Sequence, residues 1–334
     1  MSVFIVAEAG VNHNGSIDIA KKMIDEAAKM GVDAIKFQTF ITEKIASVYA
    51  KQAKYQSENT RIKETQFEML KKLELSQSEF KELKIYCDNK EIVFLSTAAD
   101  NDSVDFLVDI GVKAIKLGSG EVTNLKLIEY VSKKGIPIIL STGMSNLGEV
   151  EKALNVIDSN GNCDITLLHA TTNYPTDYKE ANIRAMVTLK DAFKRNVGYS
   201  DHTIGVEAAI IATTLGATII EKHFTLDSKM EGPDHRASLN VEEFKNYIKS
   251  IRNTEILIGN GIKRPTVSEI SIMNNVRRSI VARRDLKTGD IITENDIEYK
   301  RPGTGIYPEF FSIILGRKIK KDIKKDQVIV WDDI

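Results

Sequence analysis

Short β-branched runs alternate with longer amphipathic segments through residues 1–260 of the chain. The runs predict strands at Val3–Ala7, Asp33–Gln38, Ile92–Ser96, Ala114–Gly118, Pro137–Ser141, Ile165–His169, Asn196–Tyr199 and Thr218–His223. Between them, stretches such as SIDIAKKMIDEAAKMG, SQSEFKELKIYCDNKE and NLGEVEKALNVID place apolar residues three and four apart, the helical period. Several open on Ser or Asn and close on Gly, as capped helices do. Eight βα units over this length predict a (β/α)8 TIM barrel in preference to an open doubly wound sheet.

Two stretches break the rhythm. Residues 40–77 form a polar insertion after the second strand, longer than a βα connection needs, and in a barrel such an insertion overlies the mouth as a lid or substrate-binding loop. A solvated helical excursion without ligand contact is the competing reading. After residue 260 the texture changes: 261–276 reads as a linker with helical potential, and 277–334 is short-stranded, basic and turn-rich. The expected organisation is a catalytic barrel at 1–260, a linker at 261–276 and a second domain at 277–334. That domain is expected to be too small to bury much core of its own and to dock on a barrel.

Composition narrows the class of partner. Among 334 residues, 46 basic and 47 acidic side chains give a net charge of −1, so no footprint for nucleic acid or an anionic membrane is present. Any anionic ligand must then be held by a local site. Cys87 and Cys163 lack metal-type spacing and read as reduced thiols. With no signal-peptide pattern and no apolar run of spanning length, the expectation is a cytoplasmic enzyme.

The predicted strands end in polar residues: Glu8, Lys36 with Gln38, Ser96 with Thr97, Lys116 with Ser119 and Glu121, Ser141, His169 with Thr172, Ser200 with His202, and His223. Polar groups at the carboxyl ends of barrel strands are where such folds do chemistry. A single one could be a buried, satisfied group; eight converging ends are harder to explain that way. Lys36 and Lys116, the hydroxyls of Ser119, Ser141 and Ser200, and the GSGE turn at 118–121 suit an anion carrying phosphate and carboxylate. His202 and His223 can offer neutral nitrogens to Mn²⁺, Fe²⁺, Co²⁺ or Zn²⁺, leaving positions for water and a substrate oxygen, so that the metal polarises a carbonyl. Glu8, Glu121 and Asp234 are candidate acid, base or hydroxyl-binding groups. His13 reads as a mouth residue without a role, and His235 as loop surface. Carbon–carbon bond formation from an enol phosphate fits this equipment; a Schiff-base aldolase using Lys36 or Lys116 is the alternative.

The motifs EAGVNHNGS (8–16), KFQTF (36–40), KLGSGE (116–121), ILSTGM (139–144), YPT (174–176), GYSDHT (198–203), EKHFT (221–225), GPDH (232–235) and KRPGTG (300–305) resemble, in order and over nearly the whole chain, the sialic acid synthase family. The C-terminal part resembles that family's antifreeze-like (SAF, β-clip) domain. The resemblance implies condensation of phosphoenolpyruvate with an N-acylated hexose and water to a nine-carbon 2-keto acid and phosphate. It implies that Lys36, Gln38, Lys116, Ser119, Ser141 and Ser200 hold phosphoenolpyruvate, and that His202 and His223 hold a divalent metal, Mn²⁺ before Mg²⁺ or Co²⁺. Glu8, Thr172, Tyr174 and Asp234 would contact the sugar, with Glu8, Glu121, Lys116 and His223 the catalytic set. It further implies a domain-swapped homodimer in which Arg301 reaches the partner's site and binds the acyl group. Thr172 stands where enzymes forming N-acetylneuraminate usually carry Asn, and STAA (96–99) replaces STPF. The first residues and the segment IEKHFTLDSKMEGPDHRASL resemble the bacterial branch making legionaminic acid. The expected acceptor is therefore 2,4-diacetamido-2,4,6-trideoxymannose, with N-acetylmannosamine, or a pseudaminate precursor, as the alternative. An ice-binding role for 277–334 is disfavoured by its charged segments RRSIVARRD and GRKIKKDIKK.

Overall fold

The computed structural model describes residues 2–60, 62–161 and 164–334, so the expectation for Cys163 lies outside the described residues. Eight parallel strands, β1 (Phe4–Gly10), β2 (Ala34–Thr39), β3 (Val93–Ala98), β4 (Ile115–Leu117), β5 (Ile138–Ser141), β6 (Ile165–Ala170), β7 (Asn196–Asp201) and β8 (Ile219–His223), pair in sequence order and close with β8 against β1. This is the barrel that the alternation of runs predicts. β1, β3 and β7 run two or three residues further than the apolar pattern suggests. The added residues include the polar Glu8, Thr97, Ser200 and Asp201, which stay in the ladder, as in the register pairs Glu8↔Lys36 and Glu8↔His223.

The two-residue period of a strand explains where the site lies. Val6, Ala34, Leu95, Ala114 and Ile139 belong to one apolar cluster. Each precedes by two residues a polar side chain, respectively Glu8, Lys36, Thr97, Lys116 and Ser141. Residues two apart share a face, so an apolar plug fills the barrel directly beneath a polar layer. On β7 the corresponding position is Gly198, where an added Cβ would lie 2.3 Å from the Ile219 carbonyl oxygen; β7 and β8 approach this closely only with glycine there. A larger core packs between strands and helices, including Ile5, Met23, Phe37, Phe80, Phe94, Tyr199 and Phe244.

Within the insertion, helices Thr42–Ile45, Lys54–Thr60 and Gln66–Leu73 follow β2. Thr65 starts the last of these with a reciprocal cap, its hydroxyl accepting from Glu68 N–H while the Glu68 carboxylate accepts from Thr65 N–H. A satellite cluster of Val11, Phe40, Met69 and Leu73 ties the segment to the turn after β1.

The chain divides into a first compact unit through Gly259 and a second, Asn260–Ile334. The second contains helix Val267–Val276 and an antiparallel pair, β9 (Ser279–Ala282) with β10 (Ile297–Lys300). Contrary to the expectation of little core, it encloses Ile280, Leu286, Ile292, Ile297, Ile306, Ile314, Ile319, Ile323 and Ile329. Apart from Ile280 and Ile297 in the two strands and Ile314 in a short helix, these residues sit singly beside turns, and several of those turns are drawn together by the bridges Val281↔Val328, Leu286↔Ile323 and Ile291↔Lys318. Among the described residues no helix is long and apolar enough to cross a membrane.

Candidate active site

At the carboxyl ends of the strands a cavity of about 260 Å³ is lined by Glu8, Lys36, Gln38, Thr97, Lys116, Ser119, Ser141, Ser200, His202, Glu221 and His223. Its outer wall includes Tyr55, Gln56, Met69 and Leu70 from the insertion, with Tyr174 and Asp234 from the loops after β6 and β8.

Four buried charges form its floor. Lys36 Nζ lies 2.7 Å from Glu8 Oε2 and 3.6 Å from Glu221 Oε2, and donates to Thr97 Oγ1 at 2.9 Å. Lys116 Nζ lies 3.8 Å from Glu221 Oε1 and donates to Ser141 Oγ at 2.7 Å. Ser200 Oγ donates to Glu221 Oε1 at 2.9 Å. Two ammonium and two carboxylate groups with almost no solvent are costly to bury unless each is paired. Their titrations separate accordingly. Burial, helped by Glu221, pushes the Glu8 carboxyl up to about 7 against the pull of Lys36. Burial lowers the Lys116 ammonium to about 8, with Lys36 adding to the shift. For Glu221 burial acts upward, but Lys116 and Lys36 outweigh it and hold the carboxyl at about 2. At neutral pH the floor thus keeps one fixed anion, while Glu8 and Lys116 remain able to exchange a proton.

Above the floor stand two imidazoles with ring centroids 5.6 Å apart, and the Tyr174 ring lies 4.2 Å from His202 and edge-on to His223 at 5.5 Å. His202 Nδ1 is 2.7 Å from the Thr171 carbonyl oxygen, which can only accept, so Nδ1 carries the proton and Nε2 keeps its lone pair. His223 Nδ1 is buried without a hydrogen-bond partner. Burial lowers both imidazole pKa values, and for His223 the neighbouring His202 lowers it further. Both rings are therefore neutral, the form that ligates metal. Among the described residues no group of three or more His, Cys, Asp or Glu side chains is arranged to hold a metal. The donor set is a two-histidine one, which fits a divalent ion whose other positions are filled by water and substrate oxygens.

Asp234 Oδ1 is also buried and unpartnered, and burial raises its carboxyl to about 6 against the pull of the Tyr55 hydroxyl. Ser119 Oγ accepts from Gly143 N–H at 3.0 Å. Glu121, Thr172 and Arg301 are not among the cavity-lining residues. Glu121 bonds Asn124 at 2.7 Å beside the mouth. Thr172 is exposed and adjoins Gly143, where an added Cβ would meet Thr172 Oγ1 at 2.4 Å. Arg301 lies in the second unit. His169 does not line the cavity either; its Nε2 donates to the Ala181 carbonyl at 2.8 Å. His235 is not loop surface but fully buried, with Nδ1 2.7 Å from Thr225 Oγ1 and Nε2 3.1 Å from Asn14 Oδ1. His13 is buried as well and is not one of the lining residues.

Sequence reasoning places Thr97 at a strand end without a role, gives Glu221 no role, and expects the insertion 40–77 over the mouth without singling out Tyr55, Gln56, Met69 or Leu70. For Glu221 a signal exists, because it lies two residues before His223 on one strand and so on the same face. For Tyr55 and Gln56 no comparable signal exists, since the polar helix Lys54–Thr60 carries no period that says which side covers the mouth, whereas Met69 and Leu70 lie in an amphipathic helix with an apolar face.

The NeuB family profile matches residues 23–263, and the SAF domain profile matches residues 277–334. The chain is 48% identical over 327 residues to an N,N'-diacetyllegionaminic acid synthase of Campylobacter jejuni, covering 97% of this chain and 98% of that protein. It is 43% identical over 338 residues to one of Legionella pneumophila, covering 100% and 95%. A crystal structure of an N-acetylneuraminic acid (sialic acid) synthetase from Leptospira borgpetersenii, in complex with citrate, superposes with a TM-score of 0.72 at 33% identity, covering 81% of this chain and 90% of that one.

Proposed function

The chain belongs to the NeuB family of sialic acid synthase enzymes, and from that premise we propose that it condenses phosphoenolpyruvate with 2,4-diacetamido-2,4,6-trideoxymannose and water, giving N,N'-diacetyllegionaminate and phosphate. The observation that carries the reading is the single cavity in which two buried lysines face two neutral histidines across Glu8 and Glu221. The lysines and the hydroxyls of Ser119, Ser141 and Ser200, with Gln38, hold the phosphate and carboxylate of the enol phosphate. His202 and His223 would hold a divalent metal, Mn²⁺ in this reading, which would supply Lewis-acid polarisation of the sugar aldehyde.

In the bond-forming step C3 of the enol attacks the aldehyde carbon, water adds at C2, and the C2–O bond breaks to release phosphate and leave the 2-keto acid. Glu8 is paired in register with His223, and its carboxyl is partly protonated at neutral pH. We assign it the proton delivered to the oxygen left at the former aldehyde carbon. Asp234, whose Oδ1 has no protein partner, accepts from a sugar hydroxyl, and Tyr174 packs beside the acceptor. Glu121 remains assigned to water entry from beside the mouth, and Thr172 to acceptor recognition through the Gly143 turn. Arg301 is assigned to the acyl group through a domain-swapped homodimer, a pairing in keeping with the exposed apolar residues Val267, Ile270, Ile272 and Val276 of the second unit. The greater identity to legionaminic acid synthases supports the diacetamido acceptor over N-acetylmannosamine. Direct competition between the two aldehydes tests it.

A pH dependence follows from Lys116. Its ammonium titrates near 8, so the charge that meets the phosphate is present below that pH and lost above it. The value of kcat/KM for phosphoenolpyruvate is expected to decline already as the Glu8 carboxyl loses its proton near 7 and to fall further, by at least about tenfold per pH unit, above about 8 as the Lys116 charge is lost. Initial rates at limiting phosphoenolpyruvate across this range check it, and a profile still level at pH 9.5 contradicts the role given to Lys116.

A further inference from the structure

Between the lumen-facing Ser200 and His202 on one strand end, and Glu221 and His223 on the next, stand Asp201 and Lys222, which alternation turns outward toward the helix layer. The core of that layer is largely apolar, yet Asp201 and Lys222 are each 1% exposed, beneath Tyr247 of helix Val241–Ile258. A buried ion pair in such a place is retained only if its remaining bonding capacity is met. Here every part of it is. Asp201 Oδ1 accepts from Thr203 N–H at 2.9 Å and from the Thr203 hydroxyl at 2.7 Å. Asp201 Oδ2 accepts from the Tyr247 hydroxyl at 2.8 Å and lies 3.1 Å from Lys222 Nζ. Lys222 Nζ donates in turn to the Thr203 carbonyl and sits 5.6 Å from the centre of the Tyr247 ring.

The pair therefore grips Thr203, the residue after His202, by its N–H, its hydroxyl and its carbonyl. It does so where the main-chain pairing stops, because Asp201↔Lys222 is the last register pair between β7 and β8. One residue beyond that pair on each strand is a histidine, so the side chains hold the two strand ends together where the ladder no longer does. The His202 carbonyl accepts from Thr176 N–H at 2.8 Å and its Nδ1 is held by Thr171, so the turn that orients its Nε2, 3.4 Å from Ser200 Oγ, is fixed from three sides.

We propose that Asp201, Lys222 and Tyr247 are positioning residues that set the separation and orientation of His202 and His223. This rests on the reading of those histidines as a pair that holds a divalent metal. Outer groups that fix metal-binding histidines typically command tenfold to a hundredfold in metal affinity. Titrating the full-length protein with Mn²⁺ in the absence of substrates, read by the electron paramagnetic resonance signal of the free ion and accompanied by the thermal midpoint, tests the proposal. Tyr247→Phe keeps the ring and removes one of the groups bonded to Asp201, so the protein is expected to remain folded and to bind Mn²⁺ about tenfold more weakly or worse. Lys222→Met is expected to lose at least as much, while Lys222→Arg, which keeps a cation beside Asp201, stays within about threefold of the unaltered protein. A folded Tyr247→Phe protein with unchanged Mn²⁺ affinity overturns the positioning role and leaves the histidine pair standing. Lys222→Arg binding as poorly as Lys222→Met overturns the part given to the ion pair. Absence of Mn²⁺ binding by the unaltered protein overturns both readings together.

Discussion

His223→Ala is expected to lower kcat/KM by about 10³-fold or more, equivalent to about 4 kcal/mol of transition-state stabilisation. The side chain is buried at the end of β8, its Nδ1 has no protein partner, and among the described residues lining the cavity the one other imidazole is His202, with ring centroids 5.6 Å apart. With His223 gone a single nitrogen donor remains, too few to hold an ion against water. Chelation of the unaltered enzyme with EDTA is expected to reproduce the loss and Mn²⁺ to reverse it, whereas Mn²⁺ does not rescue the alanine variant. Steady-state assays with and without added metal check both halves. Metal-dependent turnover retained by His223→Ala refutes the ligand assignment.

Lys116→Met carries the second large effect, a fall of about 10²–10³-fold in kcat/KM for phosphoenolpyruvate, the range seen when one preorganised contact to developing charge is removed. This side chain also separates the two chemistries open to the site. A lysine whose ammonium titrates near 8 is the kind that forms Schiff bases, and on that reading any substitution abolishes turnover equally. If its task is to hold an anion, Lys116→Arg keeps the charge and is expected to retain more activity than Lys116→Met, although a guanidinium fits a different geometry. Borohydride treatment in the presence of pyruvate, the 2-keto acid with which a Schiff-base lysine would condense, is expected to leave Lys116 unmodified. Reductive trapping at that position, or equal inactivity of the arginine and methionine variants, favours the aldolase.

Much of the site is legible in the sequence because of how barrel strands are built. Residues two apart share a face, so an apolar residue followed two places later by Lys36, Lys116 or Ser141 marks the level at which the core ends and the mouth begins. The same rule, carried one step further, reaches Glu221 from His223 and places Lys222 on the opposite face. Other features depend on contacts between segments far apart in the chain. His235 lies in a loop whose composition, GPDH, reads as solvated, and only the fold brings Asn14 and Thr225 to its two nitrogens. Tyr55 reaches the cavity from a polar helix with no face marked as inward. Much of the core of the second unit consists of single apolar residues beside turns, such as Leu286, Ile292, Ile319 and Ile323, where neither helical nor strand period gives notice of burial.

The most direct test of the proposed function is mass spectrometry of the product formed when phosphoenolpyruvate is offered together with equal amounts of 2,4-diacetamido-2,4,6-trideoxymannose and N-acetylmannosamine. The account predicts a nine-carbon diacetamido 2-keto acid as the main product, with phosphate released in equal amount. Preferential formation of N-acetylneuraminate contradicts the acceptor assignment, and consumption of neither sugar contradicts the synthase reading itself.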